Sequence, residues 1–144
     1  MGQVNLGRLQ YPVIVFEKGF FRIRFNEDEL TKSTSTKLKR GFLNNLLIVD
    51  CAGTAIKVRS AEKLCGTGLL WGWTPFLNQN IKVKYIFDGE PFIMTTDQLK
   101  VLIRNTVNSW GRLFDSSYKQ GLLKRVEGAS NVRGVVEAVG PTRF

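Results

Sequence analysis

Near its beginning the chain contains two short apolar runs separated by a turn. In residues 20–25, Arg22 and Arg24 alternate with phenylalanine and isoleucine, and a period of two residues is typical of a half-buried strand. Residues 11–16 are also mainly apolar, and Gly19 in the short connection suits a tight turn. The pattern therefore predicts a first β-hairpin.

Two later segments repeat this alternation. The apolar residues 46–49 and the run 54–59 flank Gly53, which supplies the positive φ of a tight turn, and they predict a second hairpin. Residues 81–87 predict one further strand. The cations that alternate with apolar residues in these runs are Lys57, Arg59, Lys82 and Lys84.

The segment between the two hairpins is polar. Asn26 is suited to cap a short helix near Glu27–Leu30, where the acidic residues favour the N-terminal end of the helix dipole. Residues 31–41 are rich in Ser, Thr and Lys, and this composition predicts a mobile surface loop.

From Thr95 onwards, apolar residues recur every three or four positions, which is the period of an amphipathic helix. This stripe consists of Leu99, Leu102, Ile103, Val107 and Trp110. Thr95 and Gln98 have the spacing of a capping box at the start of the helix. Shorter apolar stripes predict two further helices over residues 116–127 and 131–139, the second capped by Ser130.

Strands followed by helices are typical of an α+β fold. We expect a single domain over residues 1–144, strand-rich over 11–87 and helical over 95–139. Its sheet would contain about five antiparallel strands, two hairpins plus one strand, with the C-terminal helices packed on one face. The pattern leaves open whether the helices cover that face or leave a groove for a small apolar ligand.

The composition is that of a globular protein. With 144 residues, 43% of them hydrophobic and 23% charged, the chain is long enough to bury one core. Cys51 and Cys65 do not amount to a disulfide framework, so we expect reduced thiols. We expect no signal peptide. The sequence has no uninterrupted apolar run of about 18 residues, so no membrane span is predicted. Cytoplasmic localisation is therefore the default expectation.

The net charge of +9 is the strongest global signal. Its excess lies at the two ends: residues 1–25 carry four basic and one acidic residue, and residues 96–144 carry eight and four. A positive field favours acidic partners such as nucleic acid, anionic lipid or an acidic protein face, although a basic surface also serves simple solubility.

The chain contains no histidine. Its absence excludes Ser–His and Cys–His catalytic pairs and imidazole metal ligands, and two cysteines cannot complete a zinc site alone. We therefore expect a protein that is not an enzyme and has neither metal nor cofactor. A small enzyme that uses Cys51 or a carboxylate is an alternative, although the acidic cluster Glu27–Glu29 is interpreted as a solvated helix start.

Six cations occupy the polar positions of the predicted strands, and adjacent strands would combine them into one basic sheet face. They are Arg22, Arg24, Lys57, Arg59, Lys82 and Lys84. Such a face could bind phosphates or steer an acidic partner towards the protein. In an RNA-binding sheet, however, aromatic side chains usually stand on the outward face, whereas here they share the apolar positions.

Residues 64–81 form a stretch of eighteen uncharged residues that includes Trp71, Trp73 and Phe76. Its glycines, proline and polar end argue against a membrane-spanning helix, while a loop that dips into a lipid headgroup layer stays possible. The aromatic residues either plug one end of the sheet or anchor a protein partner. Trp73, which is followed by Thr74 and Pro75, is the one that we expect to be exposed.

The leading hypothesis is a non-enzymatic interaction protein that docks an anionic macromolecular partner, with the aromatic residues as anchors and the six cations as a steering surface. Nucleic-acid binding through the same cations is the first alternative. The order of hairpin, basic strand and amphipathic helix resembles that of many small bacterial proteins, some of which neutralise toxins by binding them. No motif links the chain to a named family, and the positive charge argues against an inhibitor of nucleases.

Overall fold

A computed structural model describes residues 5–66 and 80–140, which form an antiparallel sheet and five α-helices. The strands are β1 (Val13–Glu17), β2 (Phe20–Arg24), β3 (Lys32–Thr34), β4 (Leu46–Val49), β5 (Thr54–Gly66), β6 (Asn80–Phe87) and β7 (Phe92–Ile93). The helices are α1 (Glu27–Thr31), α2 (Ser35–Lys39), α3 (Thr96–Asn108), α4 (Ser116–Glu127) and α5 (Val132–Val139).

The sheet has the strand order β2-β1-β4-β5-β6-β3, and β7 pairs with β5. The predicted α+β class, with an antiparallel sheet followed by C-terminal helices, is confirmed. The described residues contain seven strands rather than about five. The difference arises because β3 and β7 have only three and two residues, too few for a period of two to be recognised.

The first hairpin turns through Lys18 and Gly19, both of which have positive φ (32° and 84°). A two-residue turn with positive φ at both positions matches the right-handed twist of the strands that it joins. It brings β1 and β2 into register, with Phe16 opposite Phe21.

The second hairpin turn is organised by the buried carboxylate of Asp50. It accepts hydrogen bonds from the backbone N–H groups of Gln10, Ala52 and Thr54, each at 2.9 Å. Gly53 has φ of 91°, and a Cβ at this position would lie 2.7 Å from the carbonyl oxygen of Met94. Both the backbone conformation and the close approach therefore require glycine here.

Both faces of the sheet are covered. On the helix side, α3, α4 and α5 pack on the strands, and the core there includes Ile14, Phe21, Val49, Ile103, Leu122 and Val136. On the opposite side, a second core includes Val13, Val15, Leu30, Ile48, Val83 and Tyr85. All five residues of β1 are buried because this strand lies between the two cores.

The sheet is curled, and we call its second face the concave side. β2 and β3 stand at opposite ends of the strand order, yet Arg22, Arg24 and Ser33 line the same small cavity. The hydroxyl of Tyr85 on β6 donates to the backbone carbonyl of Leu30 in α1 at 2.7 Å. This buried hydrogen bond fixes α1 against the interior of the curled sheet.

The C-terminal helices follow the predicted pattern closely. Thr95 and Gln98 form the predicted capping box, and α4 has the predicted bounds of 116–127. The cap of α5 is a correction, because the side chain of Asn131, not Ser130, accepts from the backbone N–H of Gly134 at 2.7 Å. Where the C-terminal helices cover the sheet, the residues between helices and strands form a core of buried apolar side chains.

The prediction of a surface loop over residues 31–41 is wrong. Residues 32–34 form β3, which pairs with β6, and residues 35–39 form α2, whose start is capped by Thr34. Their polar composition hid both elements, since β3 is defined by a partner strand far away in the sequence.

Candidate functional site

The structure does not combine the six predicted cations into one face. Arg22 is paired with Val15 and Arg24 with Val13, and both valines belong to the core of the concave side. Lys57 is paired with Leu47, which packs on the helix-side core. Paired residues share a face of the sheet, so Arg22 and Arg24 lie on the concave side and Lys57 lies on the other.

Lys82 and Lys84 lie on the same side of the sheet as Lys57. They alternate along β6 with Ile81, Val83 and Tyr85, which are buried in the concave core. Together with Arg59, these lysines form what we call the outer group: Lys57, Arg59, Lys82 and Lys84.

Several charges of the outer group have neighbours on the surface. Arg59 Nη2 lies 3.4 Å from Asp88 Oδ1, with both side chains more than half exposed. The ammonium of Lys57 lies over the ring of Phe92, 5.8 Å from its centroid, and Lys84 is paired with Glu62 across β5 and β6. Charges in such exposed positions contribute little to stability but remain available to a partner.

A cleft of about 540 Å³ adjoins the outer group at Lys82 and Lys84. Arg8 and Glu27 also line it. Leu6, Leu64 and Phe87 contribute apolar surface, so the cleft combines a surplus of positive charge with apolar contact area. Its size lies within the range of ligand-binding clefts.

The cleft lies beside the strand ends that flank the uncharged segment. Leu64, near the end of β5, and Lys82, near the start of β6, both line it, and Gly66 is paired with Ile81. The predicted anchors Trp71, Trp73 and Phe76 lie outside the described residues. The described strand ends on either side of that segment, Gly66 of β5 and Asn80 of β6, lie at this end of the sheet.

Arg22 and Arg24 belong to a second group on the concave side, the inner group, together with Glu17 and Lys37. Arg22 Nε lies 2.8 Å and Lys37 Nζ 3.3 Å from the same oxygen, Oε1 of Glu17. The Glu17 side chain is only 9% exposed. One nearly buried carboxylate therefore serves two cations, with Arg24 as a third nearby.

Burial and mutual repulsion act on the inner cations. Burial is the main cause that lowers the pKa of Lys37, with repulsion from Arg22 and Arg24 in the same direction and Glu17 opposing both. Burial, followed by repulsion from Arg22, also lowers the pKa of Arg24. The inner group is thus positively charged in surroundings that disfavour positive charge.

Sequence reasoning missed Glu17, Lys37 and Arg8 as site residues. Glu17 has a weak signal, since it is an acid directly after an apolar run. Lys37 lies within the predicted loop, and Arg8 lies within a segment without any periodic pattern.

Cys51 lacks the surroundings of an activated thiol. It is buried at the second hairpin turn, and its Sγ donates to the carbonyl oxygen of Pro12 at 3.0 Å. Burial is the main cause that raises its pKa, whereas a reactive cysteine needs a lowered one.

The acidic cluster Glu27–Glu29 lies in the first turn of α1, and Asn26 caps this helix as predicted. Asp28 pairs with Lys32 at 3.0 Å, and the hydrogen bond to Lys32 is the main cause that lowers its pKa. Within residues 5–66 and 80–140, no three cysteine or carboxylate side chains converge on a point where a metal ion could bind.

Comparison with known proteins found no matching family model, no similar curated protein and no similar solved structure. In the described part of the chain, no helix has both the length and the apolar character needed to cross a bilayer. Function is therefore inferred from the residues of the chain itself.

Proposed function

We propose that this chain is a non-enzymatic interaction protein that docks an anionic macromolecular partner, in the first place a protein with an acidic face. The observation that carries the proposal is the cleft of about 540 Å³, which is lined by the cations Arg8, Lys82 and Lys84 together with apolar side chains. Cations around such an apolar surface steer an acidic partner, and the apolar surface then holds it.

The aromatic residues of the uncharged segment complete this proposal. Trp71, Trp73 and Phe76 belong to the stretch of sequence between β5 and β6, and Leu64 of β5 and Lys82 of β6 line the cleft. Tryptophan is favoured at the energetic centre of protein interfaces because it buries a large area with few rotatable bonds. In this proposal they are the anchors, and Lys82 and Lys84 provide the steering charge.

Nucleic acid is the alternative partner, favoured by the exposed ring of Phe92 beside Lys57 on the outer side. An aromatic ring next to a cation is the arrangement on which unpaired bases stack. Affinity for nucleic acid would fall steeply with salt concentration, because each neutralised phosphate releases a counterion.

The test is a pull-down from a lysate of the source cell with and without nuclease, with tagged wild-type protein and two charge-reversed variants. Lys82→Glu/Lys84→Glu changes the cleft, while Arg112→Glu/Lys124→Glu makes the same change of charge at exposed positions in the helical part. The proposal expects a discrete protein that survives nuclease, is lost with the first variant and is retained by the second.

Two other results would contradict docking of a protein at this cleft. Equal loss in both variants would indicate attraction by net charge alone. Loss of all co-purifying protein after nuclease treatment would assign the binding to nucleic acid.

A further inference from the structure

A second cavity, of about 430 Å³, lies beside the first hairpin turn. It is lined by Glu17, Lys18, Phe20, Arg22, Lys37 and Phe42. Among the described residues, it shares no lining residue with the cleft assigned to the partner. It is therefore a separate site, and it does not depend on the proposed function.

The cavity has more positive charge than its own residues neutralise. Of the described residues that line it, three are cations and Glu17 is the one acid. Oε1 of Glu17 is already shared by Arg22 and Lys37 at 2.8 and 3.3 Å. Lys18 is placed over the ring of Phe42, 4.8 Å from its centroid. Charges partly withdrawn from water gain most from a further counterion.

Two buried polar atoms also support an anion-binding role for this region. Arg22 Nε and Ser33 Oγ are buried without a hydrogen-bond partner among the described residues. The 2.8 Å approach of Arg22 Nε to Glu17 is thus an ion pair without hydrogen-bond geometry. Both residues line a small inner cavity of about 20 Å³, large enough for one water molecule. Arg22 lines both cavities.

The remaining lining is aromatic. Phe20 and Phe42 are both partly exposed, and Phe20 is held in place by stacking on Trp110, with ring centroids 6.0 Å apart. Trp110 in turn donates a hydrogen bond from Nε1 to the carbonyl of Gly19 at 2.7 Å. This side of the cavity is thus a preformed apolar surface, suited to a flat ring or a short acyl chain.

We propose that this cavity binds a small organic anion in which a carboxylate or phosphate group is joined to an apolar body about the size of one aromatic ring. The anionic group lies at Arg22 and Lys37, and the apolar body lies between Phe20 and Phe42. A guanidinium is suited to carboxylate and phosphate alike, because its parallel N–H groups match two acceptor oxygens.

The pKa of Lys37 couples its protonation to the binding of an anion. Burial and the nearby arginines disfavour its charged form. A bound anion would act in the opposite direction and raise this pKa, so Lys37 takes up a proton on binding where the pH lies between its pKa values in the free and the bound protein.

The test uses phenyl phosphate and benzoate as probes, with inorganic phosphate and benzyl alcohol as matched controls for the charge and the ring. Binding is measured by calorimetry and located by amide chemical shifts in the wild-type protein. We expect both probes to bind at least about tenfold more tightly than either control, because charge and ring each contribute. The shifted amides should lie at the first hairpin turn and around Phe42.

Three variants sharpen the test. Lys37→Gln and Phe42→Leu should each weaken binding of phenyl phosphate by about tenfold, whereas Lys84→Gln in the cleft should change it less than about twofold. The proposal is overturned if neither probe shows saturable binding up to about 10 mM. It is also overturned if inorganic phosphate binds as tightly as phenyl phosphate, if the shifts cluster at the cleft, or if Lys84→Gln weakens binding as much as Lys37→Gln.

Discussion

The inner group and the outer group are built from the same sequence pattern but have opposite surroundings. Arg22 and Arg24 alternate with apolar residues just as Lys82 and Lys84 do. The arginines nevertheless stand on the concave side, where Arg22 and Lys37 share one nearly buried carboxylate, whereas Lys84 is exposed to solvent.

This difference shows that alternation specifies two faces of a strand without specifying which of them is covered. In a flat sheet with one layer of helices, the polar face would be the solvent face. Here the curl of the sheet, with α1 and α2, encloses the second face as well. A cation that the alternating pattern predicts to be on the surface is then part of an interior charge cluster.

Removal of the shared carboxylate should give the largest effect and is the strongest test of the comparison. Glu17→Gln leaves Arg22 and Lys37 without their counterion in a site where their side chains are only 21% and 27% exposed. We expect the free energy of unfolding to fall by about 2–3 kcal/mol, somewhat less than for a fully buried pair. Urea denaturation measures the change.

The matched control is Glu62→Gln, at the exposed position paired with Lys84 across β5 and β6. An exposed pair of this kind contributes a few tenths of a kcal/mol, so unfolding should hardly change. Equal effects of the two substitutions would show that the inner and outer groups do not differ in the way described.

The second prediction concerns alkaline pH and the concave side. Burial, with a smaller contribution from Glu17, raises the pKa of Tyr85 from 10.0 to about 12. The unfolded chain therefore loses this proton at lower pH than the folded one, so stability present at neutral pH is lost as pH rises from 10 towards 12. We expect Tyr85 to contribute about 2 kcal/mol to this loss.

Urea denaturation of wild-type protein and Tyr85→Phe over this pH range tests the prediction. The variant lacks the hydrogen bond to Leu30 and should be less stable at neutral pH, but its stability should fall less steeply on alkalinisation. Part of the fall should remain, because burial also raises the pKa of Tyr11 to about 12. Parallel pH profiles would contradict a buried phenol at position 85.

The smallest change in the free energy of unfolding is expected when the positive charge of Arg24 is removed and its apolar stem is kept. Arg24→Met keeps the apolar stem of the side chain and removes a cation that is repelled by Arg22 in a partly buried site. We expect stability to rise by about 0.5–1 kcal/mol. The matched change Lys84→Met on the outer side should stay within about 0.5 kcal/mol of wild type, and a loss of stability in Arg24→Met would show that this guanidinium is adequately paired.

The sequence was most informative where structure is determined locally. The capping box of α3 and the bounds of α4 follow from residues close together in the chain. The two-residue turn at Lys18 and Gly19 likewise lies at the predicted connection. These features depend on hydrogen bonds and dihedral preferences within a few residues, which the sequence displays directly.

What depended on distant pairing could not be predicted. Lys32–Thr34 becomes a strand only because β6 lies beside it, and Glu17 meets Lys37 across twenty positions of sequence. The predicted binding roles of Lys82 and Lys84 stay predictions, but their convergence with Arg8 in one cleft follows from the fold alone. These features depend on the strand order and the curl of the sheet, which a local sequence pattern does not specify.

The hydrogen bond from Trp110 to Gly19 has a consequence for the order of folding. It joins residues 91 positions apart, between the first hairpin turn and the region after α3. Helix α3 can form quickly from local contacts, but this hydrogen bond must await closure of a long loop of chain. Docking of the helical layer, followed through the surroundings of the Trp110 indole, is therefore expected to be a late event in refolding, after the hairpin that receives it.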